Sequence, residues 1–79
     1  MNYTYRFHVE DGELTVAKIN TEGPLPELVA GNKLYLTVDG WSHKMNEALV
    51  VERVEVSLSY LGGEIKRYQV DVYCALKSF

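Results

Sequence analysis

The chain has very few of the residues that most often carry catalysis, metal binding or covalent cross-links. Its 79 residues include one cysteine, Cys74, and two histidines, His8 and His43. A single cysteine excludes an intramolecular disulfide and a cysteine-rich zinc site, and an unpaired thiol is typical of the reducing cytoplasm. No HxH or HxxxH spacing joins the histidines, so we expect both to be solvated and predict no metal site and no cofactor.

The sequence also lacks a basic cluster, a long apolar run and a secretion signal. The net charge is −3, and the longest basic run is Lys66-Arg67. Nucleic-acid binders need a basic face, so nucleic acid is a disfavoured partner. No segment approaches the roughly 20 apolar residues of a membrane-spanning helix. The N-terminus has no charged segment followed by an apolar one. These absences predict a cytoplasmic protein with no membrane partner.

Catalytic motifs are missing as well. The sequence contains no glycine-rich phosphate loop, nucleophile elbow or HExxH motif. Its carboxylates are scattered along the chain, and Cys74 falls in phase with core positions, where a thiol is inert. We therefore predict no catalytic residues, and an enzyme is the least supported of the functional hypotheses.

What the sequence does contain is a strict alternation of apolar and polar residues over most of its length. Within the stretch from Ala48 to Leu76, apolar residues occupy every second position from Val54 to Tyr60 and again, after Gly62-Gly63, from Tyr68 to Leu76. A period of two puts successive side chains on opposite faces of a strand, so this stretch predicts a long hairpin with one core face. Residues 1–79 are expected to form a single small β domain.

The register of this hairpin follows from matching its apolar faces. A three-residue loop that ends at Glu64 sets Val56 opposite Val70, and we predict that these two are paired core residues. The same loop shifted back by one residue also matches the faces and sets Arg53 opposite Asp71. The sequence leaves both registers open.

The alternation slips once in the first strand of the hairpin. Leu49 and Val51 are out of phase with Val54 and Val56, and Glu52 lies between the two pairs. A β-bulge inserts one extra residue into a strand and changes its phase. The slip therefore predicts a bulge that places Glu52 at the edge of the core.

The rest of the chain predicts three more strands. Asp11-Gly12 is typical of a tight type I′ turn, which would set Val9 opposite Leu14. A bulge near Ala17 would bring Ile19 into the core. The predicted strands cover residues 2–10, 13–20 and 33–38, with one short helical turn near residues 26–30. Five strands in this length favour an all-β fold: a small five-stranded antiparallel barrel that is SH3-like, or an open sandwich.

At the far end of the long hairpin the outer face is expected to be apolar, with Leu49 and Val51 from its first strand and Tyr73 and Ala75 from its second. A strand pair that is apolar on both faces must be covered on both. A two-fold contact is the commonest arrangement between identical chains. We therefore expect a homodimer, or a contact with another protein, on these four residues.

Aromatic residues are the second lead, because the chain has six tyrosines and one tryptophan. Aromatic side chains are enriched at interfaces. A candidate ligand surface comprises Tyr35, Trp41, His43 and Arg53. The first hypothesis is therefore a non-catalytic, self-associating protein-binding module. The alternative is a small OB- or SH3-like barrel that binds single-stranded nucleic acid, where surface aromatics stack on bases beside basic groups. A small enzyme is the third.

Overall fold

The computed structural model describes residues 2–25 and 28–79, and most of these residues lie in strands. The strands are β1 (Tyr3–Val9), β2 (Leu14–Thr21), β3 (Lys33–Leu34), β4 (Thr37–Val38), β5 (Trp41–Ser42), β6 (Glu47–Leu61) and β7 (Glu64–Ser78). A single-turn 3₁₀ segment, Glu10–Gly12, joins β1 to β2. The all-β class predicted from the alternation is confirmed.

Five of the strands form one curled sheet with the order β2-β1-β7-β6-β3, and β4 and β5 form a small second sheet. The large sheet is a half-barrel. Its neighbours are antiparallel except for β1 and β7, which run parallel from Tyr3 opposite Tyr68 to His8 opposite Tyr73. The expectation of a wholly antiparallel barrel is therefore wrong at this pairing. Parallel neighbours need a long connection, and everything between β1 and β7 supplies it.

The first hairpin turns at the predicted place, but four residues rather than two connect its strands, because Glu10 (φ 55°) and Glu13 (φ −73°, ψ −24°) are not extended. Asp11 and Gly12 both have positive φ, 56° and 88°, and the N–H of Glu13 donates to the carbonyl oxygen of Glu10 at 3.2 Å. Val9 lies opposite Leu14, as expected for a type I′ turn. Phe7 lies opposite Ala17 and His8 opposite Thr15, so Val16 is the extra residue of the bulge. The bulge is therefore one residue earlier than predicted.

The long hairpin has the first of the two predicted registers. Val56 lies opposite Val70 and Arg53 opposite Tyr73, which excludes the pairing of Arg53 with Asp71. The loop itself is shorter than predicted, since Gly62 and Gly63 alone connect the strands. A bulge at Lys66, between the partners of Ser59 and Tyr60, supplies the odd residue that matches the apolar faces.

The predicted bulge at Glu52 is present, because Val51 lies opposite Cys74 while Arg53 lies opposite Tyr73. This extra residue restores the phase between the two halves of β6. Leu49 and Val51 therefore lie on the same face as Val54, and both are buried in the core. Their assignment to the outer face is wrong, because simple alternation was continued across the bulge.

The core lies on the concave face of the half-barrel. Its buried apolar residues are Tyr5, Phe7, Val9, Ala17, Leu36, Leu49, Val51, Val70, Val72 and Cys74. The segment between β2 and β3 folds over this face. Leu25 and Leu28 pack against the core, and the Leu25 N–H donates to the Tyr5 hydroxyl at 2.8 Å. The predicted third strand is divided into β3 and β4, although Leu36 between them is buried as its phase predicted.

The predicted helical turn near residues 26–30 lies partly outside the described residues, which omit positions 26 and 27. Leu28, Val29 and Ala30 contain no helix. Leu28 packs against the core, whereas Val29 is exposed.

The tip half of the long hairpin projects beyond the core. We call residues 56–61 and 64–67 the arm; it contributes to the 47 Å length of a molecule only 23 Å across. Val56 is 54% exposed although its partner Val70 is only 5% exposed. The prediction that Val56 is a core residue is therefore wrong. The pairing was read correctly, but Val56 lies beyond the level at which β3 pairs with β6, at Leu49 and Val50.

Candidate functional sites

A buried polar cluster lies on the convex face of the sheet, where β1 runs between β2 and β7. Asp71 accepts hydrogen bonds from His8 Nε2 and from Arg6 Nε, each at 2.8 Å, and from Gln69 Nε2 at 3.2 Å. His8 Nδ1 lies 2.8 Å from the hydroxyl of Thr15. His8 and Asp71 are 5% and 7% exposed, so the expectation of a solvated His8 is wrong.

An aromatic stack covers the cluster. The ring of Tyr73 stacks on the ring of His8 with centroids 4.8 Å apart, and the guanidinium carbon of Arg53 lies 4.0 Å from the Tyr73 centroid. Arg53 is held there by ion pairs to Glu55 at 3.0 Å and to Asp11 at 3.5 Å. These layers explain why a histidine on the polar face of β1 is buried.

The charge on Asp71 is favoured by its hydrogen bonds. Burial raises the pKa of this carboxyl, but hydrogen bonds from His8, Gln69 and Arg6, with the charge of Arg6, outweigh it and lower the pKa below its ordinary value. Asp71 is therefore a carboxylate, and His8 donates its Nε2 proton to it.

The order Thr15, His8, Asp71 matches the hydroxyl, imidazole and carboxylate of nucleophilic catalysis. Two observations favour a structural role instead. The carboxylate is shared with Arg6, and none of the three residues lines the main cavity described below. We interpret the cluster as a polar anchor that joins β2, β1 and β7.

The predicted dimer surface does not exist as one face. Leu49 and Val51 are enclosed in the core, at 0% and 2% exposure. Tyr73 lies on the convex face over His8, and Ala75 lines a cavity at the end of the sheet. The bulge at Glu52 is what places Leu49 and Val51 on a different face from Tyr73. The slip in alternation at Glu52 was visible in the sequence.

The candidate ligand surface is also divided. Tyr35 is exposed, and its ring lies edge-on to His43 with centroids 5.6 Å apart. His43 donates from Nδ1 to the carbonyl oxygen of Lys44 at 2.8 Å. Trp41 is half-buried and lines the cavity, whereas Arg53 belongs to the stack on Tyr73.

A cavity of about 570 Å³ opens at the end of the half-barrel beside the β1–β2 turn. Its apolar lining comes from Val9, Leu14, Trp41, Cys74, Ala75 and Leu76, and its acidic lining from Glu10, Asp11 and Glu52. The volume is within the range of small-molecule sites, roughly 300–1,000 Å³. The β1–β2 turn and the β6 bulge, which are 40 residues apart in sequence, thus contribute carboxylates to one opening.

Cys74 lines this cavity and is 1% exposed, so its predicted core position is confirmed. Burial and the negative charge of Glu52 raise the pKa of its thiol to about 11. A protonated, enclosed thiol is a poor nucleophile. The thiol that lines this cavity is therefore unsuited to nucleophilic catalysis.

The arm presents the third surface. Four of its apolar side chains are between 54% and 65% exposed: Val56, Leu58, Tyr60 and Leu61. Val56, Leu58 and Tyr60 alternate along β6 and lie on one face, which we call the arm face. Leu61 lies next to the turn and on the other face of the strand. The polar residues of the opposite face, such as Ser57, are exposed too.

The outer edge of β6 is open along the arm. β3 pairs with β6 only at Val50 and Leu49, and two further backbone hydrogen bonds join Val51 to Gly31 and Asn32. Within the part of the chain that the structure describes, no strand pairs with residues 52–61 on this edge. An unpaired edge next to an apolar face is a template for strand addition.

Comparisons with known proteins give no guide to these surfaces: no protein-family model, curated protein or solved structure matches the chain. Among residues 2–25 and 28–79, no three histidine, cysteine or carboxylate side chains are grouped to hold a metal ion. The same residues include no helix of the length and apolarity that crossing a membrane requires.

Proposed function

We propose that this chain is a small non-catalytic interaction module that self-associates through the arm. The observation that carries the proposal is the arm face, where large apolar side chains more than half exposed follow one another along an open strand edge. A contiguous apolar surface of this kind marks a protein contact in a folded chain.

A second copy is the partner that fits best. The open edge of β6 is identical in both copies, so an antiparallel β6–β6 pairing about a two-fold axis satisfies both edges at once. Residues of even number on β6 from Val54 to Tyr60 share one face. In a two-fold pairing, the even-numbered residues of one copy can lie opposite even-numbered residues of the other. The two apolar rows then lie on the same side of the joined sheet.

The magnitudes favour a modest affinity. Burying the exposed half of a large apolar side chain contributes about 1 kcal/mol. Val56, Leu58 and Tyr60 from each copy together contribute about 6 kcal/mol, which is comparable to the association cost of about 4–15 kcal/mol. Backbone hydrogen bonds along the edge supply the surplus, so we expect dissociation constants in the micromolar range.

Sedimentation of a matched pair of variants tests the proposal. We expect the wild-type chain to be a dimer at tens of micromolar, Leu58→Glu to be a folded monomer, and Ser57→Glu to remain dimeric because its side chain leaves the opposite face. Thermal unfolding of each variant separates dissociation from misfolding. A monomeric wild-type chain, or a dimeric Leu58→Glu, contradicts the proposal.

The nucleic-acid alternative is weakened by the charges around Trp41. Glu10, Asp11 and Glu52 line the same cavity as this ring, and carboxylates repel a phosphate backbone. A fluorescence titration with single-stranded DNA at low salt distinguishes the two. Submicromolar binding that weakens steeply with salt favours the alternative.

The compartment and the finer architecture belong to the same proposal. A buried free thiol such as Cys74 fits the reducing cytoplasm. The curled five-stranded sheet is the feature that this chain has in common with SH3-like binding modules. The assignment of the chain to an SH3-like architecture stays a prediction.

A further inference from the structure

We propose that the cavity at the end of the half-barrel binds an organic cation: an ammonium group carried on an aliphatic chain. The site has no residue in common with the arm face, so it is independent of self-association. Its two kinds of lining, apolar and anionic, correspond to the two parts of such a ligand.

The apolar lining supplies the environment for an aliphatic chain. Val9 and Cys74 are buried side chains, and Leu14 and Leu76 line the same space while each remains nearly half exposed, at 45% and 46%. An aliphatic chain in this space would cover leucine surface that no part of the described fold covers. Burial of that surface is favourable by about 25 cal/mol per Å².

The aromatic ring selects for positive charge. Trp41 is the only tryptophan, and it lines the cavity together with the carboxylates. The face of an indole attracts an ammonium group more strongly than any other aromatic side chain does. A neutral ligand gains only apolar contact with this ring, without the electrostatic attraction that an ammonium group has.

The three carboxylates add a net negative field. Asp11 is partly neutralised by Arg53 at 3.5 Å. Within the described part of the chain, Glu10 and Glu52 have no ion pair with a lysine or an arginine. Two exposed carboxylates without a cation therefore lie at a cavity of ligand size, and an ammonium group offsets one of the two charges. The charge of Glu52 also contributes to the raised pKa of Cys74, which lines the same cavity.

Trp41 makes the test direct, because fluorescence from the only tryptophan reports on this cavity alone. The probes are hexylammonium, hexanol and hexanoate at neutral pH and constant ionic strength. These probes have the same six-carbon chain and differ in charge. We expect a saturable change with hexylammonium and a dissociation constant of about 1 mM, which is reasonable for so few atoms. Hexanol should bind more weakly and hexanoate should not saturate.

Charge-neutralising variants identify the groups. Glu10→Gln and Glu52→Gln should each weaken hexylammonium binding roughly threefold, as expected for loss of one partly solvated ion pair. Glu22→Gln removes the same charge from an exposed bend away from the cavity lining and should leave binding unchanged. Thermal unfolding confirms that each variant is folded.

Several results overturn the proposal. They are equal binding of hexanol and hexylammonium, the absence of saturation by hexylammonium up to about 30 mM, or identical binding by Glu52→Gln, Glu10→Gln and wild type. Sedimentation of the same samples is a separate measurement, so loss of this site and loss of the dimer are distinguishable.

Discussion

Asp71 provides the sharpest test of how the sheet is held together. It is the shared acceptor of His8 on β1, Arg6 on β1 and Gln69 on its own strand, and it is nearly enclosed. Replacing it by Asn keeps the size of the side chain but removes the charge that the three donors face. We predict that Asp71→Asn destabilises the fold while leaving its topology intact.

The magnitude follows from what each donor loses. Hydrogen bonds to a charged group contribute roughly 1.5–3 kcal/mol, and breaking one side of a buried ion pair costs about 3–5 kcal/mol. Arg6 limits the loss because its side chain is 42% exposed and becomes hydrated. We therefore expect a cost of about 2–3 kcal/mol. The total stability of a chain this size is about 4–12 kcal/mol, so the variant still folds.

Urea titration measures this cost, and Glu55→Gln is the matched control. Glu55 lies directly opposite Asp71 in the β6–β7 pairing and also pairs with an arginine, Arg53, but it is exposed. Exposed ion pairs contribute about 0–1 kcal/mol. Equal costs for the two variants would refute the argument, because burial would then not distinguish the two carboxylates.

The pH dependence gives an independent check. Because the pKa of Asp71 is lower in the folded chain, its contribution to stability is complete above the pKa of the unfolded chain and is lost as pH falls through the folded value. The wild type should therefore lose its advantage over Asp71→Asn below about pH 4. A difference in unfolding free energy that stays constant between neutral and acidic pH contradicts the assignment.

Two further predictions concern single positions in the core and the first turn. Gly12→Val should destabilise the fold by about 1–2 kcal/mol, because φ is 88° at this position and a Cβ would lie 3.1 Å from Tyr73 Cε1. Gly12→Asn should cost less, since Asn adopts positive φ more readily than Val. Equal melting temperatures of the two variants would contradict this reasoning. Cys74 should react with a thiol reagent at pH 8 only when urea unfolds the chain, since a pKa of about 11 leaves about one thiolate in a thousand; rapid labelling of the folded protein would show that the thiol is accessible.

Local patterns in the sequence determined most of the secondary structure. Alternation of period two predicted the strands, the Asp11-Gly12 pair predicted the first turn, and matched apolar faces predicted the pairing of Val56 with Val70. The slip in alternation also predicted the bulge at Glu52. These features depend on neighbours along the chain or across a hairpin, where sequence distance and spatial distance are closely related.

Burial was harder to read, because it depends on what covers a face. Leu49 and Val56 lie on the same face of β6, yet the first is enclosed and the second is more than half exposed. Leu49 lies where β3 pairs with β6, whereas on that edge no strand of the described chain pairs with β6 at Val56. A period of two identifies two faces of a strand but does not state which part of a face is covered.

The candidate sites were decided almost entirely by the tertiary structure. The parallel pairing of β1 with β7 brings His8 to Asp71 across 63 residues, and curling of the sheet brings Glu10 and Glu52 to the cavity beside Trp41. Strands that are not joined by a hairpin have no local signal of their order or direction. The sequence by itself therefore determined the first two strands and the long hairpin, but not the division of residues 33–38 into β3 and β4 or the strand β5 at Trp41–Ser42. Contacts between distant strands decided which side chains form a site.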